Sequence, residues 1–146
     1  MASPVGALIL RATDGAITAV EWGRVADSDA APVFDLARAE LAAYFARDLT
    51  NFTVPLAPGG SEFQQAFHTA LCTIPYGETR SYGDLAAELG VSAQAIGQAC
   101  GANPIPIFIP CHRVLGAEGL GGYSGAGGVE TKVALLKLEG AASLLI

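Results

Sequence analysis

Cys111 and His112 are neighbours in the chain, and together they suggest thiol chemistry. The thiolate is the nucleophilic form of cysteine, and a nearby base can draw off the thiol proton. Adjacent residues of an extended segment point to opposite sides, so His112 needs a turn or a bridging water to serve Cys111. The competing assignment is a small buried hydrophobe beside a core histidine, since free cysteine is commonly buried and inert. Other chemistries find less support. Three cysteines and two histidines without CxxC or HxxxH spacing do not make a four-ligand zinc set. No GxSxG elbow and no GxxxxGK phosphate loop occurs. Neither a metal nor a cofactor is expected.

The elements that must position this pair can be read from the flanking pattern. Ala7–Ala12 and Ile17–Trp22 are apolar runs separated by Asp14-Gly15, a strong hairpin signal. A polar connection from Asp27 to Pro32 follows. Phe34, Ala37, Leu41, Tyr44 and Phe45 then recur on one face of a helix that begins at Val33 and ends by Asp48 and Asn51. Pro58-Gly59-Gly60 is the best boundary. Ser61 caps a helix to about Thr73, with Phe63, Phe67, Ala70 and Leu71 inward and Cys72 expected in the core. Ser81 and Ser92 cap two short helices joined through Gly90-Val91-Ser92, the outline of a helix-turn-helix. Pro104, Pro106 and Pro110 exclude an ordinary central strand and predict an extended, rigid segment delivering Cys111. A glycine-rich loop around Tyr123-Ser124 precedes a closing helix, Val129 to Leu138, with Val133, Leu135, Leu136 and Leu138 inward.

These elements predict an α/β N-terminal subdomain, a small antiparallel sheet plus helix, over residues 1–57. A mainly α C-terminal domain with a winged helix-turn-helix is expected over residues 60–146. Hydrophobic residues make up 51% of the 146 and charged residues 15%, ample for a packed core and contrary to disorder. No apolar run approaches the roughly 20 residues of a membrane helix. Nor does the N-terminal stretch carry the basic start and long apolar run of a signal peptide. Three cysteines, an odd number, favour a reducing compartment. A cytoplasmic monomer with no membrane contact is expected. The net charge of -6 opposes a strong non-specific grip on nucleic acid, which rests on basic side chains.

The run Asn103-Pro104-Ile105-Pro106-Ile107-Phe108-Ile109-Pro110-Cys111-His112-Arg113-Val114 resembles the active-site signature of the O6-alkylguanine-DNA alkyltransferases, the methylated-DNA–protein-cysteine methyltransferases. The flanks are similar too: Ile74–Ala86 to that family's approach to its helix-turn-helix, Gly121–Gly125 to its binding loop, and Lys132, Leu135, Leu136 and Glu139-Gly140 to its closing helix. The match runs in order over residues 60–141, and only loosely over 1–57. It implies irreversible transfer of an alkyl group from O6-alkylguanine in DNA to Cys111, with the base flipped from the duplex. His112, through water, takes the thiol proton, and Glu139 orients the imidazole. Tyr82 donates toward the leaving guanine, while Asn103 holds the turns of the site. Ser124, Tyr123, Gly125, Val114 and Cys100 line the substrate pocket. Ser92, Ala93, Gln94, Ala95, Gly97 and Arg113 face DNA.

The sequence departs from the family in the helix-turn-helix, where the stretch from Tyr82 to Gln94 is also shorter than usual. Where the second helix of the motif carries an arginine that enters the duplex, this chain has Gln94. From Ser81 through Cys111 there is no Lys or Arg. The resemblance therefore implies an alkylated double-stranded DNA partner held weakly and with little salt dependence. Two alternatives stay open: an alkyl acceptor for a free base or other small molecule, and a binder of lesions that does not repair them.

Overall fold

A computed structural model describes residues 1–23, 32–116 and 128–141. The expected connection at Asp27 and the binding-loop residues Tyr123, Ser124 and Gly125 lie outside these residues. Three strands open the chain: β1 (Ala2–Ser3), β2 (Gly6–Thr13) and β3 (Ala16–Trp22), antiparallel in the order β1-β2-β3. The β2–β3 hairpin turns at Asp14 (φ 51°) and Gly15 (φ 77°), the two positive values a type I′ turn requires. The strand β1 was not anticipated. It pairs Ala2 with Ala7 and Ser3 with Gly6, too short to show a period in sequence.

Helix α1 (Pro32–Phe45) starts on a proline, whose missing N–H would be unbonded at that position anyway. Its stripe of Val33, Phe34, Ala37, Leu41 and Tyr44 is buried. Glu40 shares that face and serves the backbone. It accepts from Thr53 N (2.9 Å) and Val54 N (2.8 Å), binding the outgoing chain to the helix. That chain then lies along β3, with Ile17 N to Pro55 O at 2.9 Å and Ala57 N to Ile17 O at 2.8 Å.

The remaining elements are α2 (Glu62–Cys72), β4 (Arg80–Ser81), α3 (Tyr82–Leu89), α4 (Ala93–Gly101), a single 3-10 turn (Cys111–Arg113), β5 (Val114–Leu115) and α5 (Val129–Leu138). Ser61 and Ser81 close capping boxes with Gln64 and Asp84, and Ser92 caps α4 through Ala95 N. Gly90 takes the left-handed conformation that lets α3 turn into α4. The parallel pair β4–β5 stands beside the helix pair. The architecture is the expected one: a small antiparallel sheet with a helix, then a mainly helical half with a helix-turn-helix.

Two expectations fail. The segment before Cys111 is not extended but folds back on itself, with Ile109 N bonded to Ile105 O at 3.0 Å and Ile107 at φ 76°. Proline excludes ladder bonds but leaves tight turns open, and side-chain bonds from Asn103 stabilise this one. Cys72, expected inside, is exposed, because the buried face of α2 is Phe67, His68, Ala70 and Leu71. No helix among the described residues is long and apolar enough to cross a membrane.

Candidate active site

Asn103 builds the floor of the site. Its Nδ2 donates to Ile109 O at 2.9 Å and its Oδ1 accepts from Ile105 N at 3.0 Å, so one buried side chain ties both arms of the folded segment. The backbone of Pro104 is in turn held by β3, through Val20 N to Pro104 O at 2.9 Å. The chain leaves this loop through Pro110 into the 3-10 turn that carries Cys111 and His112.

His112 is sealed from solvent, and its Nε2 lies 2.6 Å from Glu139 Oε2. Glu139 caps the C-terminal end of α5, the negative end of the helix dipole and a poor place for a carboxylate unless donors surround it. They do. Arg113 donates to Oε1 from Nε (2.8 Å) and to Oε2 from Nη2 (3.0 Å), and Tyr44 OH donates to Oε2 at 2.7 Å. Burial alone would push the Glu139 carboxyl up, but His112 and Arg113 outweigh it and hold it at about 2. Gly77, at φ 81°, completes the cradle. A Cβ there would come within 3.1 Å of Glu139 O, and its N–H lies 3.5 Å from Oε1.

An ionised Glu139 at Nε2 fixes the proton on that nitrogen and leaves Nδ1 with a free lone pair. Nδ1 is buried and has no hydrogen-bond partner among the described residues. Burial holds the imidazole pKa below its usual value against the pull of Glu139, so the ring is neutral and basic at Nδ1 near pH 7.

The Cys111 thiol is buried, and burial raises its pKa. The Asn103 side chain and the Lys132 ammonium act the other way. Cys100 is also buried, and burial together with Cys111 pushes it up to about 12. Lys132 lowers Cys100 as well, and Asn103 acts on Cys111. Lys132 is fully buried on α5, with its Nζ donating to Val114 O at 2.6 Å and standing 5.7 Å from the Tyr82 ring centroid. Burial lowers the Lys132 pKa, while both thiols raise it.

The structure thus gathers Cys111, His112, Glu139, Asn103, Cys100, Val114 and, across Lys132, Tyr82. Ser92, Ala93, Gln94 and Gly97 lie exposed on α4, with Ala95 half-buried among them. Arg113 requires a correction as a DNA-facing residue. It is buried, paired with Glu139, and donates from Nη1 to Ile74 O at 2.7 Å, so no phosphate can reach it. Two participants escaped the sequence reading. Lys132 enters the sequence reading only as part of the matching helix, although a lysine in the i, i+3, i+4 register of Leu135 and Leu136 signals a buried cation. Tyr44 was read as core, although its hydroxyl needs a partner wherever the ring is buried. Among the described residues no cluster of three or more His, Cys, Asp or Glu could hold a metal.

With this geometry in place, comparison with known proteins is informative. Residues 1–58 match the ribonuclease-like domain and residues 62–141 the DNA-binding domain of 6-O-methylguanine DNA methyltransferase. A methylated-DNA–protein-cysteine methyltransferase of Mycolicibacterium paratuberculosis is 46% identical over 147 residues, covering 94% of this chain and 88% of the relative. One of Methanosarcina acetivorans is 44% identical, covering 94% of each. A crystal structure of Mycobacterium tuberculosis OGT in complex with DNA is similar with a TM-score of 0.84 and 45% identity, covering 97% of this chain and 91% of that one. The chain belongs to the O6-methylguanine DNA methyltransferase family.

Proposed function

We propose that this protein repairs DNA by moving the alkyl group of an O6-alkylguanine irreversibly onto Cys111. The observation that carries the reading is His112 Nδ1: a buried, basic nitrogen, its ring locked by Glu139, next to a buried cysteine. The thiol proton passes to Nδ1 through a bridging water, and Sγ attacks the alkyl carbon. The carbon–O6 bond breaks as the carbon–sulfur bond forms, and its electron pair stays with the guanine, which takes a proton. Tyr82, with Lys132 beside it, donates toward the developing anion, where a fixed donor is worth most. The thioether is stable, so each molecule reacts once. On the family resemblance, Ser124, Tyr123 and Gly125 contribute to substrate binding together with Cys100 and Val114.

Residues 1–57 and 60–146 form the two domains, and the family matches over 1–58 and 62–141 support that division. The DNA face is α4, with Gln94 in the place of the family's arginine and Ser92, Ala93, Ala95 and Gly97 around it. Because this face carries no cation and the chain is acidic, binding is weak and nearly independent of salt. The protein works as a cytoplasmic monomer. Incubation with O6-methylguanine DNA, followed by peptide mass spectrometry, should find one methyl group on the Cys111 peptide and none on a Cys111→Ala variant. An unmodified wild-type Cys111 overturns the reading. The bare α4 face favours one second reading, a free base as donor, which requires equal rates with free base and duplex.

A further inference from the structure

Tyr44 belongs to α1, in the N-terminal half of the chain, and lies 95 positions before the carboxylate it touches. Its side chain is 1% exposed, and its ring packs against Phe45 and Phe52, with centroids 5.3 Å away in each case, and against Tyr76 at 6.1 Å. Packing alone does not explain the hydroxyl. It donates to Glu139 Oε2 at 2.7 Å, the same oxygen that accepts from His112 Nε2 at 2.6 Å and Arg113 Nη2 at 3.0 Å. Three donors thus share one oxygen, whereas Oε1 takes Arg113 Nε at 2.8 Å and the long Gly77 N–H at 3.5 Å. Every donor to the ionised form lowers the proton affinity of a carboxylate. The Oε2 bonds therefore set how strongly Glu139 pulls on the imidazole proton.

We propose that Tyr44 is a positioning residue for alkyl transfer: its hydroxyl holds Glu139 Oε2 in line with His112 and moderates the basicity of the His112–Glu139 pair. The N-terminal half then takes part in the chemistry rather than only packing against it. Two contacts reinforce this connection. Phe52 packs on Phe108 with centroids 4.6 Å apart, and Val20 N holds Pro104 O at 2.9 Å, so the same half also fixes the loop before Cys111. The charged and titratable groups around the carboxylate are His112 and Arg113 from the 3-10 turn and Tyr76 from the turn after α2. Lys132 on α5 acts on His112, and Arg47, after α1, acts on Tyr76. Burial, and then the charge of Glu139, drive the Tyr44 hydroxyl far above its ordinary range, so it remains a donor at every working pH.

The inference rests on the base role proposed for His112, and the test separates the two. The full chain and its Tyr44→Phe variant react with free O6-benzylguanine across pH, so that no DNA contact enters. Removing the hydroxyl leaves Oε2 more basic and the imidazole protonated to higher pH. The acid limb of the rate profile should move up by about half to one pH unit, and the plateau should fall about three- to tenfold. A second variant, Phe52→Leu, loosens the same interface without touching the carboxylate. It should lower Tm or the plateau while its normalised profile overlays the wild type. If the normalised Tyr44→Phe profile overlays the wild type, or Phe52→Leu moves the limb equally, the inference is overturned while the alkyl-transfer reading stands. If the wild type takes no benzyl group on Cys111, both fall.

Discussion

The carboxylate of Glu139 and the imidazole of His112 meet at 2.6 Å, 27 residues apart in the chain and both shut off from solvent. Arg113, the residue after His112, supplies the counter-charge that keeps this carboxylate ionised in the interior. One short turn thus carries the thiol, the imidazole proposed as its base and the cation that stabilises the carboxylate bonded to that imidazole.

Replacing Glu139 with Gln should be costly in two ways. An amide NH2 aimed at Nε2 selects the opposite tautomer, which puts the proton on Nδ1 and removes the lone pair that accepts from the thiol. Alkyl transfer should fall about a hundredfold or more. Arg113 also loses its only carboxylate partner among the described residues, and an uncompensated buried charge costs about 3–5 kcal/mol, read as a lowered Tm. A variant with normal rate and unchanged Tm would contradict both roles.

Lys132 should matter to the thiol rather than to DNA. In Lys132→Met the apolar stem is retained, while Val114 O loses its donor and Cys111 loses the nearby positive charge. The thiolate should form at higher pH by about one unit, which is a tenfold loss of reactive anion at neutral pH. Iodoacetamide labelling of Cys111 against pH reads this directly, and an unshifted curve would count against it.

Gln94 sits exposed at the start of α4. Gln94→Arg adds a cation on the helix proposed to face DNA, so the rate with alkylated duplex should rise. The slope of log affinity against log salt should steepen by about one contact. The rate with free O6-benzylguanine should stay the same, since nothing near Cys111 changes. No gain with duplex would mean that α4 does not enter DNA as proposed.

His68 on α2 is buried with neither ring nitrogen bonded among the described residues, and burial lowers its pKa. A base whose folded pKa is depressed binds fewer protons folded than unfolded below about pH 6.5, so its protonation costs the fold nothing above that value and destabilises it increasingly as pH falls. His112 adds to the same slope. His68→Leu should therefore raise stability at pH 7 by about 1 kcal/mol, roughly 2–4 °C in Tm, and by more at pH 5.5. Parallel Tm–pH curves for variant and wild type would remove His68 as the cause.

The hairpin, the three serine-capped helices and the closing helix were legible because each is specified locally. Asp14-Gly15 dictates a turn, Ser61, Ser81 and Ser92 satisfy the first amides of their own helices, and apolar periods mark the inward faces. The segment from Asn103 to Pro110 was misread because its shape depends on two side-chain bonds from Asn103, which no local propensity reports. Cys72 was misplaced for a related reason: which arc of α2 is covered depends on what packs against it.

The sequence alone determined the Cys111-His112 pair, the family resemblance and the lack of Lys or Arg from Ser81 through Cys111, since residue identity and order suffice for these. Tertiary structure decided that Arg113 turns inward to Glu139, that Lys132 is buried within electrostatic reach of two thiols, and that Tyr44 from the other half of the chain shares an oxygen with His112. The physical reason is desolvation. A buried charge or hydroxyl must find partners, and those partners are chosen by proximity in the folded core, across 95 positions in the case of Tyr44 and Glu139.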